Sequence, residues 1–305
     1  MPLMKKLEKD GIKHFMKYAF VNGIKQEASK GMNGQCLCCG AEVIAKCGNI
    51  RIAHWAHKNN EECPYSKMEP KTQWHWDWQN HFSKEWQEVR CIDEETGEVH
   101  IADIKTANGL VVEFQHSAIN PEERLSRERY HKNMIWVIDG TRLKYDFKRF
   151  SKNIENLQPF IISNSEIPFS SYTVNWVDEI LPPSWLSATV PLYFDFRPEK
   201  IDDSESDQQK SLRNLMWGFF RIGKTIFAVS MPHNCFVDYI QKEVIRNIEQ
   251  VIISAFQPKT LQSPAITAPP VFRSPQMVYR RSNSYSGSNA RQINHIKSKN
   301  PGFRF

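Results

Sequence analysis

A group of cysteines and histidines in the first part of the chain places the strongest constraint on its fold. Two thiols have the spacing Cys36-x-x-Cys39, and His54, His57 and Cys63 follow them. Thiolates two residues apart can reach one Zn²⁺, because a tight turn brings both to the same side of the ion. We therefore predict a structural zinc site formed by Cys36, Cys39, His57 and Cys63. The alternative second half of the site is the pair His54 and His57.

The distribution of the cysteines favours metal binding over disulfides. The chain has seven cysteines, four of which fall between Cys36 and Cys47, whereas Cys91 and Cys235 stand alone. In a chain without a secretion signal, such crowding is more typical of a metal site than of a disulfide framework. A structural zinc supplies on the order of 10 kcal/mol of folding free energy, which would hold a loop-rich segment in shape. Buried cysteines without a metal are the alternative.

The composition is that of an ordinary globular protein, with 40% hydrophobic and 24% charged residues. No apolar run approaches the roughly 20 residues that a membrane helix needs. The first ten residues lack the apolar core of a signal peptide. We therefore expect a cytoplasmic protein without a membrane segment.

The positive charge of the chain is concentrated at its C-terminal end. Residues 257–305 contain eight Lys or Arg and no Asp or Glu, and removing these eight charges from the net charge of +6 leaves −2 for the rest. The same segment is rich in Ser, Pro and Asn, which predicts a disordered tail. A cationic arm of this kind attracts a nucleic-acid backbone without sequence preference, and it can also serve only to keep a protein in solution.

The segment after the cysteines has the pattern of an α/β core. Residues 71–86 read as an amphipathic helix whose aromatic stripe would face the core, with His75 and Gln79 beside the stripe. Three strand-like runs follow at 87–92, 99–105 and 110–116. A helix capped by Asn120 covers 121–130, and a buried strand covers 134–138. A meander followed by a crossover predicts a mixed sheet.

Two acidic side chains, Asp103 and Glu113, lie on neighbouring strands of this meander. If Asn108 and Gly109 form a two-residue turn, the two carboxylates point to opposite faces of the sheet. If the turn has three residues, with Gly109 in the left-handed conformation, position 103 pairs with 113 and the carboxylates share a face. We expect the second turn, because it also sends Ile104, Val112 and Phe114 together to the core.

Two adjacent carboxylates repel each other unless a positive charge lies between them. Without obligatory cations nearby, Mg²⁺ or Mn²⁺ is the economical solution, since hard cations take oxygen ligands. Such an ion would activate water and screen a phosphodiester under attack. An exposed strand face carrying two unrelated acids is the alternative.

Several short elements together resemble the CoiA-like competence proteins. They are Cys36-x-x-Cys39, His54-Trp-Ala-His57, the Trp-His helix, the Ile-Ala-Asp103 strand and the Glu113-Phe-Gln115-His-Ser117 strand, within about residues 23–142. The resemblance implies a zinc-ribbon-like part, a nuclease core of the PD-(D/E)XK, restriction-endonuclease-like type, and metal-dependent cleavage of DNA. Asp103 and Glu113 would bind the metal, and His75 would be the helix histidine that contacts a phosphate or positions water. The family also has an Arg and Tyr pattern downstream of these strands, and Arg124, Arg127 and Tyr130 of this chain resemble it.

The chain departs from this family pattern at two positions. Lys71 stands where the family often has a glutamate ahead of the helix histidine. The acids that could substitute are Glu69, Asp77, Glu85 and Glu88, of which Glu88 ranks lowest because it follows the helix. Gln115 stands where many relatives of the wider fold have lysine, so it supplies no positive charge. Our hypothesis is that Lys105, on the acidic face, supplies that charge instead.

One further motif, Gly218 to Thr225, matches a phosphate-binding loop literally. Its bulky interior and the strand-like Ile-Phe-Ala-Val after it argue against a nucleotide cradle, so we interpret it as a hairpin with Gly223 in the turn. We predict no nucleotide cofactor.

The sequence thus predicts four parts: a zinc-binding domain (1–68), a nuclease core (69–164), an α+β extension without assigned chemistry (165–256) and a disordered basic tail (257–305). The predicted function is a metal-dependent DNA nuclease using Mg²⁺ or Mn²⁺, with catalytic residues Asp103, Glu113, Gln115, His75 and Lys105. Its partner would be DNA. The alternatives are a non-catalytic zinc-dependent DNA-binding module and a structural adaptor that docks a protein partner.

Overall fold

The computed structural model describes residues 16–49, 52–59, 63, 71–92, 97, 99–143, 145–160, 169–198, 200 and 203–256. They form a mixed α/β structure with a small antiparallel sheet followed by a large mixed sheet. The mixed α/β class predicted above is confirmed. The predicted tail, 257–305, lies outside the described residues.

The first sheet contains five short antiparallel strands in the order β2-β1-β3-β4-β5. Their bounds are β1 Tyr18–Val21, β2 Ile24–Glu27, β3 Asn33–Gln35, β4 Glu42–Lys46 and β5 His54–His57. Backbone bonds between Met16 and Trp55 link the start of β1 to β5, so the sheet curves into a half-barrel. Trp55 and Val43 are fully buried inside it, next to Cys36 and Cys63.

The second sheet contains nine strands in the order β10-β11-β14-β13-β12-β9-β8-β7-β6. Strands β8, β9 and β12 are parallel, and the other neighbours are antiparallel. The bounds are β6 Gln87–Ile92, β7 Val99–Lys105, β8 Val111–Gln115, β9 Met134–Asp139, β10 Leu157–Pro159, β11 Ser170–Val174, β12 Leu192–Asp195, β13 Leu215–Ile222 and β14 Thr225–Pro232. The predicted order of helix, three strands, helix and strand is confirmed for residues 73–139.

Seven α-helices are present among the described residues. They are α1 Gln73–Gln79, α2 Pro121–His131, α3 Asp146–Lys152, α4 Val177–Ile180, α5 Asp207–Arg213, α6 His233–Gln241 and α7 Asn247–Phe256. Thr72 caps α1 and Asn120 caps α2, each by accepting a backbone N–H, which satisfies a donor that the first turn leaves free. Helices α6 and α7 are separated by a turn in which Glu243 has a φ of +58°.

The large sheet is buried on both faces, because side chains alternate along each strand. On one face, Ile135 and Val137 pack with the aromatic stripe of α1 and with α6 and α7. On the other face, Trp136 and Ile138 pack with α3 and α4. The core role predicted for the aromatic stripe is confirmed for Trp78, although the helix itself ends at Gln79.

The predicted boundary at 164/165 lies outside the described residues, between β10 and β11 of the large sheet. Strands β10 to β14 continue the sheet that β6 to β9 begin, so the extension shares a core with the predicted nuclease part. The division into domains stays a prediction. Ile222 pairs with Thr225 across a turn in which Gly223 has a φ of +60°, so the hairpin interpretation of the phosphate-loop motif is confirmed. No described helix has both the length and the apolar character required to cross a bilayer.

Candidate functional site

The predicted zinc ligands come together beside the ends of β3 and β5. One atom from each of Cys36, Cys39, His57 and Cys63 lies within 4.8 Å of all the others. Cys36 follows β3, and a tight turn ending at Gly40, whose φ is +73°, brings Cys39 back beside it. The His57 side chain comes from the last residue of β5.

Three thiols and one imidazole form a donor set that could bind a structural metal such as zinc. The Cys36 and Cys63 sulfurs are 3.8 Å apart, and Cys39 Sγ is 3.3 Å from His57 Nε2. Sulfurs around a tetrahedral zinc with Zn–S bonds of about 2.3 Å are separated by about 3.8 Å, so the spacing fits. Burial raises the pKa of the Cys36 thiol to about 12. A metal would therefore be needed to keep this sulfur as a thiolate at neutral pH.

The alternative zinc ligand, His54, is placed elsewhere. Its Nδ1 lies 2.7 Å from the carbonyl oxygen of Ile52, and it is not part of the four-residue group. Cys38 and Cys47 are outside that group too.

The first sheet is fastened to β6 of the large sheet by several bonds. Arg90 Nε donates to the carbonyl of Cys38 at 3.2 Å, and Lys17 Nζ donates to Gln87 Oε1 at 2.9 Å. The backbone N–H of Tyr18 reaches Glu88 Oε2 at 3.4 Å. The shape of the cysteine-rich part therefore affects the position of Glu88.

The carboxylates of Asp103 and Glu113 converge between β7 and β8. Thr106 and Leu110 close a three-residue turn in which Gly109 has a φ of +79°, and Ile104 pairs with Val112. This is the register that places 103 opposite 113, so the predicted turn is confirmed.

Past the Ile104–Val112 pair, side chains of the two acids accept the hydrogen bonds that link β7 to β8. Asp103 N–H donates to Glu113 Oε1 at 3.3 Å, and Phe114 N–H donates to Asp103 Oδ2 at 3.0 Å. Both residues are buried. The two carboxylates are thus held in the gap between the strands rather than on a solvated face, which rules out the alternative of two unrelated exposed acids.

Asp103 has two positively charged or polar partners from the α1 segment. Lys71 Nζ lies 2.6 Å from Asp103 Oδ1, and His75 Nε2 lies 2.9 Å from Asp103 Oδ2. Burial opposes ionisation of Asp103, but the charges of His75 and Lys71 outweigh it and hold the pKa of this carboxyl well below its usual value. Burial likewise opposes the charge on Lys71, yet Asp103 and Glu88 raise its pKa above the usual value. Asp103 and Lys71 are therefore both charged at neutral pH.

Glu88 completes this group, contrary to its low rank among the acids considered from the sequence. Its carboxylate lies 3.1 Å from Lys71 Nζ, and its side chain is fully buried. In the pairing of β6 with β7, Gln87 faces Ile104 and Val89 faces Ala102, so Glu88 comes opposite Asp103. Its φ of +44° is unusual for a residue with a side chain and costs of order 1 kcal/mol or more.

The other acids considered for that role do not reach the centre. Asp77 accepts a bond from Gln73 on the helix surface, and Glu85 is exposed beside Ser83. Glu69 lies outside the described residues.

Glu113 is balanced by a second cation, Arg127 of α2. Arg127 Nη1 lies 3.4 Å from Glu113 Oε2, and its Nη2 lies 2.6 Å from Glu123. Burial and the neighbouring Asp103 raise the pKa of Glu113 to about 8. His131 is 3.9 Å away, and burial with the positive surroundings lowers its pKa to about 4, so this imidazole is neutral at pH 7.

The other predicted residues are described by the contacts that they make elsewhere. Gln115 is buried, and its amide donates to the carbonyl of Ser117 at 3.1 Å. Lys105 Nζ lies 3.7 Å from Cys91 Sγ, so the lysine at Asp103 is Lys71 rather than Lys105. Arg124 forms a fully buried pair with Glu128 on its own helix and donates to Ser187, and Tyr130 packs against His100.

The residues as arranged do not fit a Mg²⁺ or Mn²⁺ ion at Asp103 and Glu113. All four carboxylate oxygens already face protein donors: Lys71, His75, the backbone N–H groups of Phe114 and Asp103, and Arg127. The expectation that these acids have no neighbouring cations is wrong. An ammonium group lies where an ion would have to bind.

Comparison with known families supports the N-terminal part of the resemblance. Residues 23–66 match the model of the N-terminal domain of competence protein CoiA, and this segment contains all four residues of the Cys/His group. The predicted resemblance is confirmed there, and it suggests a competence-related function. No curated protein and no solved structure matches the chain significantly.

Proposed function

We propose that this chain is a competence-related, zinc-stabilised DNA-binding protein built on a nuclease-type core that does not cut. The observation that carries the proposal is the position of Lys71. Its ammonium lies 2.6 Å from Asp103 and 3.1 Å from Glu88, and its side chain is 6% exposed. A charge so deeply buried between two carboxylates is costly to displace, because each partner would be left uncompensated in the interior.

The order of elements supports the nuclease-type core. Helix α1, the antiparallel strands β6, β7 and β8, helix α2 and the parallel strand β9 follow one another, and the two acids lie on the second and third strands. This is the order predicted from the sequence pattern for the segment that resembles a restriction-endonuclease-like core. The chain would therefore have the fold of a nuclease without its catalytic activity.

Contact with DNA would be made mainly through its backbone. The eight positive charges of residues 257–305 would neutralise phosphates and release counterions, so binding should weaken steeply with salt and show no sequence preference. A metal at the Cys/His group would hold the half-barrel, which is formed largely by the segment that matches the competence domain, in its folded shape.

The second candidate function is a DNA nuclease using Mg²⁺ or Mn²⁺. The convergence of Asp103 and Glu113 favours it, because two neighbouring strands place two buried acidic side chains side by side, and paired acids are the ligand type that these ions take. For this function Lys71 would have to leave Asp103 when DNA and the ion bind. Gln115 offers no positive charge in its place.

The experiment compares binding and cleavage on the zinc-loaded full chain. Fluorescence anisotropy would measure binding to single- and double-stranded DNA over a range of salt, and gels would measure cleavage with and without Mn²⁺. We expect salt-dependent binding without cleavage. A chain ending at Phe256 should lose most of the salt dependence.

Asp103→Asn distinguishes the candidates, since the amide keeps the shape of the carboxylate. Cleavage that requires Mn²⁺ and disappears in Asp103→Asn would refute the proposal and establish the nuclease. Absence of both binding and cleavage would instead favour an adaptor that docks a protein.

A further inference from the structure

The buried centre contains three carboxylates on three adjacent strands, with one ammonium among them. Glu88 of β6 comes opposite Asp103 of β7, and Asp103 in turn bonds to Glu113 of β8. Lys71 enters from the residue before the N-cap of α1 and contacts both Asp103 and Glu88. Two further side chains contact these acids: Arg127 lies beside Glu113, and His75 lies beside Asp103.

We infer that Lys71 is a built-in cation that takes the place of a divalent ion, so that the wild-type centre binds none and the centre without this ammonium does. The inference concerns the same centre as the proposed function but does not depend on DNA binding. Lys71 is tethered to the helix that packs on the sheet, so its charge is present at a high effective concentration whatever the ionic composition of the solution.

The carboxylates explain why the ammonium excludes an ion. A divalent ion would need oxygen atoms of Asp103 and Glu88 that Lys71 now faces at 2.6 and 3.1 Å. An ion entering beside Lys71 would also meet its charge at close range in an interior that screens charges poorly. Binding therefore requires the ammonium to leave.

The carboxylates also explain why its removal should create a site. Without Lys71, Glu88 and Asp103 would be buried acids with hydrogen bonds but without the charge that now lies between them. Hard oxygen donors held together by three strands are the ligand type that Mg²⁺ and Mn²⁺ prefer. The backbone at Glu88 already holds its side chain inward at a φ of +44°, so the site would need little rearrangement.

The test measures Mn²⁺ binding to the full chain, without DNA and with the Cys/His group loaded with zinc. Loss of the free Mn²⁺ signal in electron paramagnetic resonance reports binding. Lys71→Met removes the charge and keeps an apolar stem, and Lys105→Met is the matched control, because Lys105 lies on β7 but contacts Cys91. Lys71→Met combined with Asp103→Asn removes the proposed ligand.

We expect Lys71→Met to bind Mn²⁺ at concentrations at which wild type shows no binding, with an apparent affinity at least about tenfold above the detection limit for wild type, because removing one nearby positive charge is worth that or more in a poorly screened site. Lys105→Met should behave as wild type, and the double variant should lose the binding. Thermal unfolding should show Mn²⁺ stabilising Lys71→Met and not wild type.

Two results would overturn the inference. One is Mn²⁺ binding by wild type that Asp103→Asn abolishes, and this arm needs no Lys71 variant. The other is a folded Lys71→Met that takes up no Mn²⁺. If Lys71→Met does not fold alone, recovery of folding with Mn²⁺ supports the inference, and failure to recover with Mn²⁺ or Mg²⁺ contradicts it. Because DNA is absent, none of these results depends on whether the protein binds or cuts it.

Discussion

The pair formed by Lys71 and Asp103 allows a quantitative prediction by double-mutant cycle. The two side chains are 6% and 7% exposed, and Nζ and Oδ1 are 2.6 Å apart. At an effective dielectric constant of about 20, two unit charges at that distance attract by about 6 kcal/mol. Desolvation of both groups offsets much of this attraction, but removing one partner from a buried pair costs about 3–5 kcal/mol, because the other stays buried.

Lys71→Met and Asp103→Asn should therefore each lower the free energy of unfolding by about 3–5 kcal/mol. The double variant should lose about 2 kcal/mol less than the sum of the two, since it strands neither charge of this pair. The relief is partial, because Glu88 remains buried at the place where it now contacts Lys71. The Asn side chain can still accept the Phe114 N–H, so that bond is not part of the difference.

The assay is urea unfolding of the zinc-loaded protein at pH 7, followed by tryptophan fluorescence and compared at a common m value. Lys105→Met is the control for loss of a lysine charge, and we expect a cost below about 1 kcal/mol because its partner is a thiol. Additivity of the two substitutions within about 0.5 kcal/mol would show that the charges do not interact and would refute the reasoning.

Three further predictions concern other parts of the molecule. Cys63→Ser should lose zinc and on the order of 10 kcal/mol of folding free energy, whereas Cys47→Ser should retain both. Zinc release to a chromophoric chelator measures the first quantity, and unfolding curves measure the second. Equal zinc loss in the two variants would contradict the ligand set. Because the folded pKa of Glu113 is raised to about 8, its contribution is present below its unfolded pKa of about 4.5 and is lost as the pH rises through about 8. Glu113→Gln should therefore show about a few kcal/mol less loss of stability than wild type between pH 5 and 8, and identical pH profiles would contradict the raised pKa. Lys224→Ala should leave ATP affinity unchanged in a filter-binding assay, because Gly223 lies in a hairpin turn; a loss of specific binding would revive the phosphate loop.

Local features of this protein were predictable because their causes lie close together in the sequence. The Cys36-x-x-Cys39 turn, the Asn120 cap and the aromatic stripe on α1 each depend on residues within one or two turns of chain. The three-residue turn at Gly109 was predictable because only that register sends Ile104 and Val112 to the core while Asp103 and Glu113 share a face.

The composition of the acidic centre was not predictable in the same way. Lys71 and Glu88 are 17 residues apart in the chain and meet only because α1 packs on the sheet and β6 pairs with β7. The sequence did contain one signal for this contact. Glu88 lies on a predicted strand, 87–92, that precedes the strand of Asp103 in the same meander. The pairing register that would turn this signal into a contact is set by packing over the whole sheet.

The sequence by itself determined the cysteines of the candidate metal site, the helix and strand order around the acids, and the side of the sheet on which those acids lie. Only the tertiary structure decided that Cys63 rather than His54 completes the Cys/His group, that the extension continues the same sheet, and that Lys71 and Arg127 contact the acids. The physical reason is that periodicity and turn chemistry depend on neighbours along the chain. The partner of a buried charge depends on which distant segments are brought together when the core excludes water.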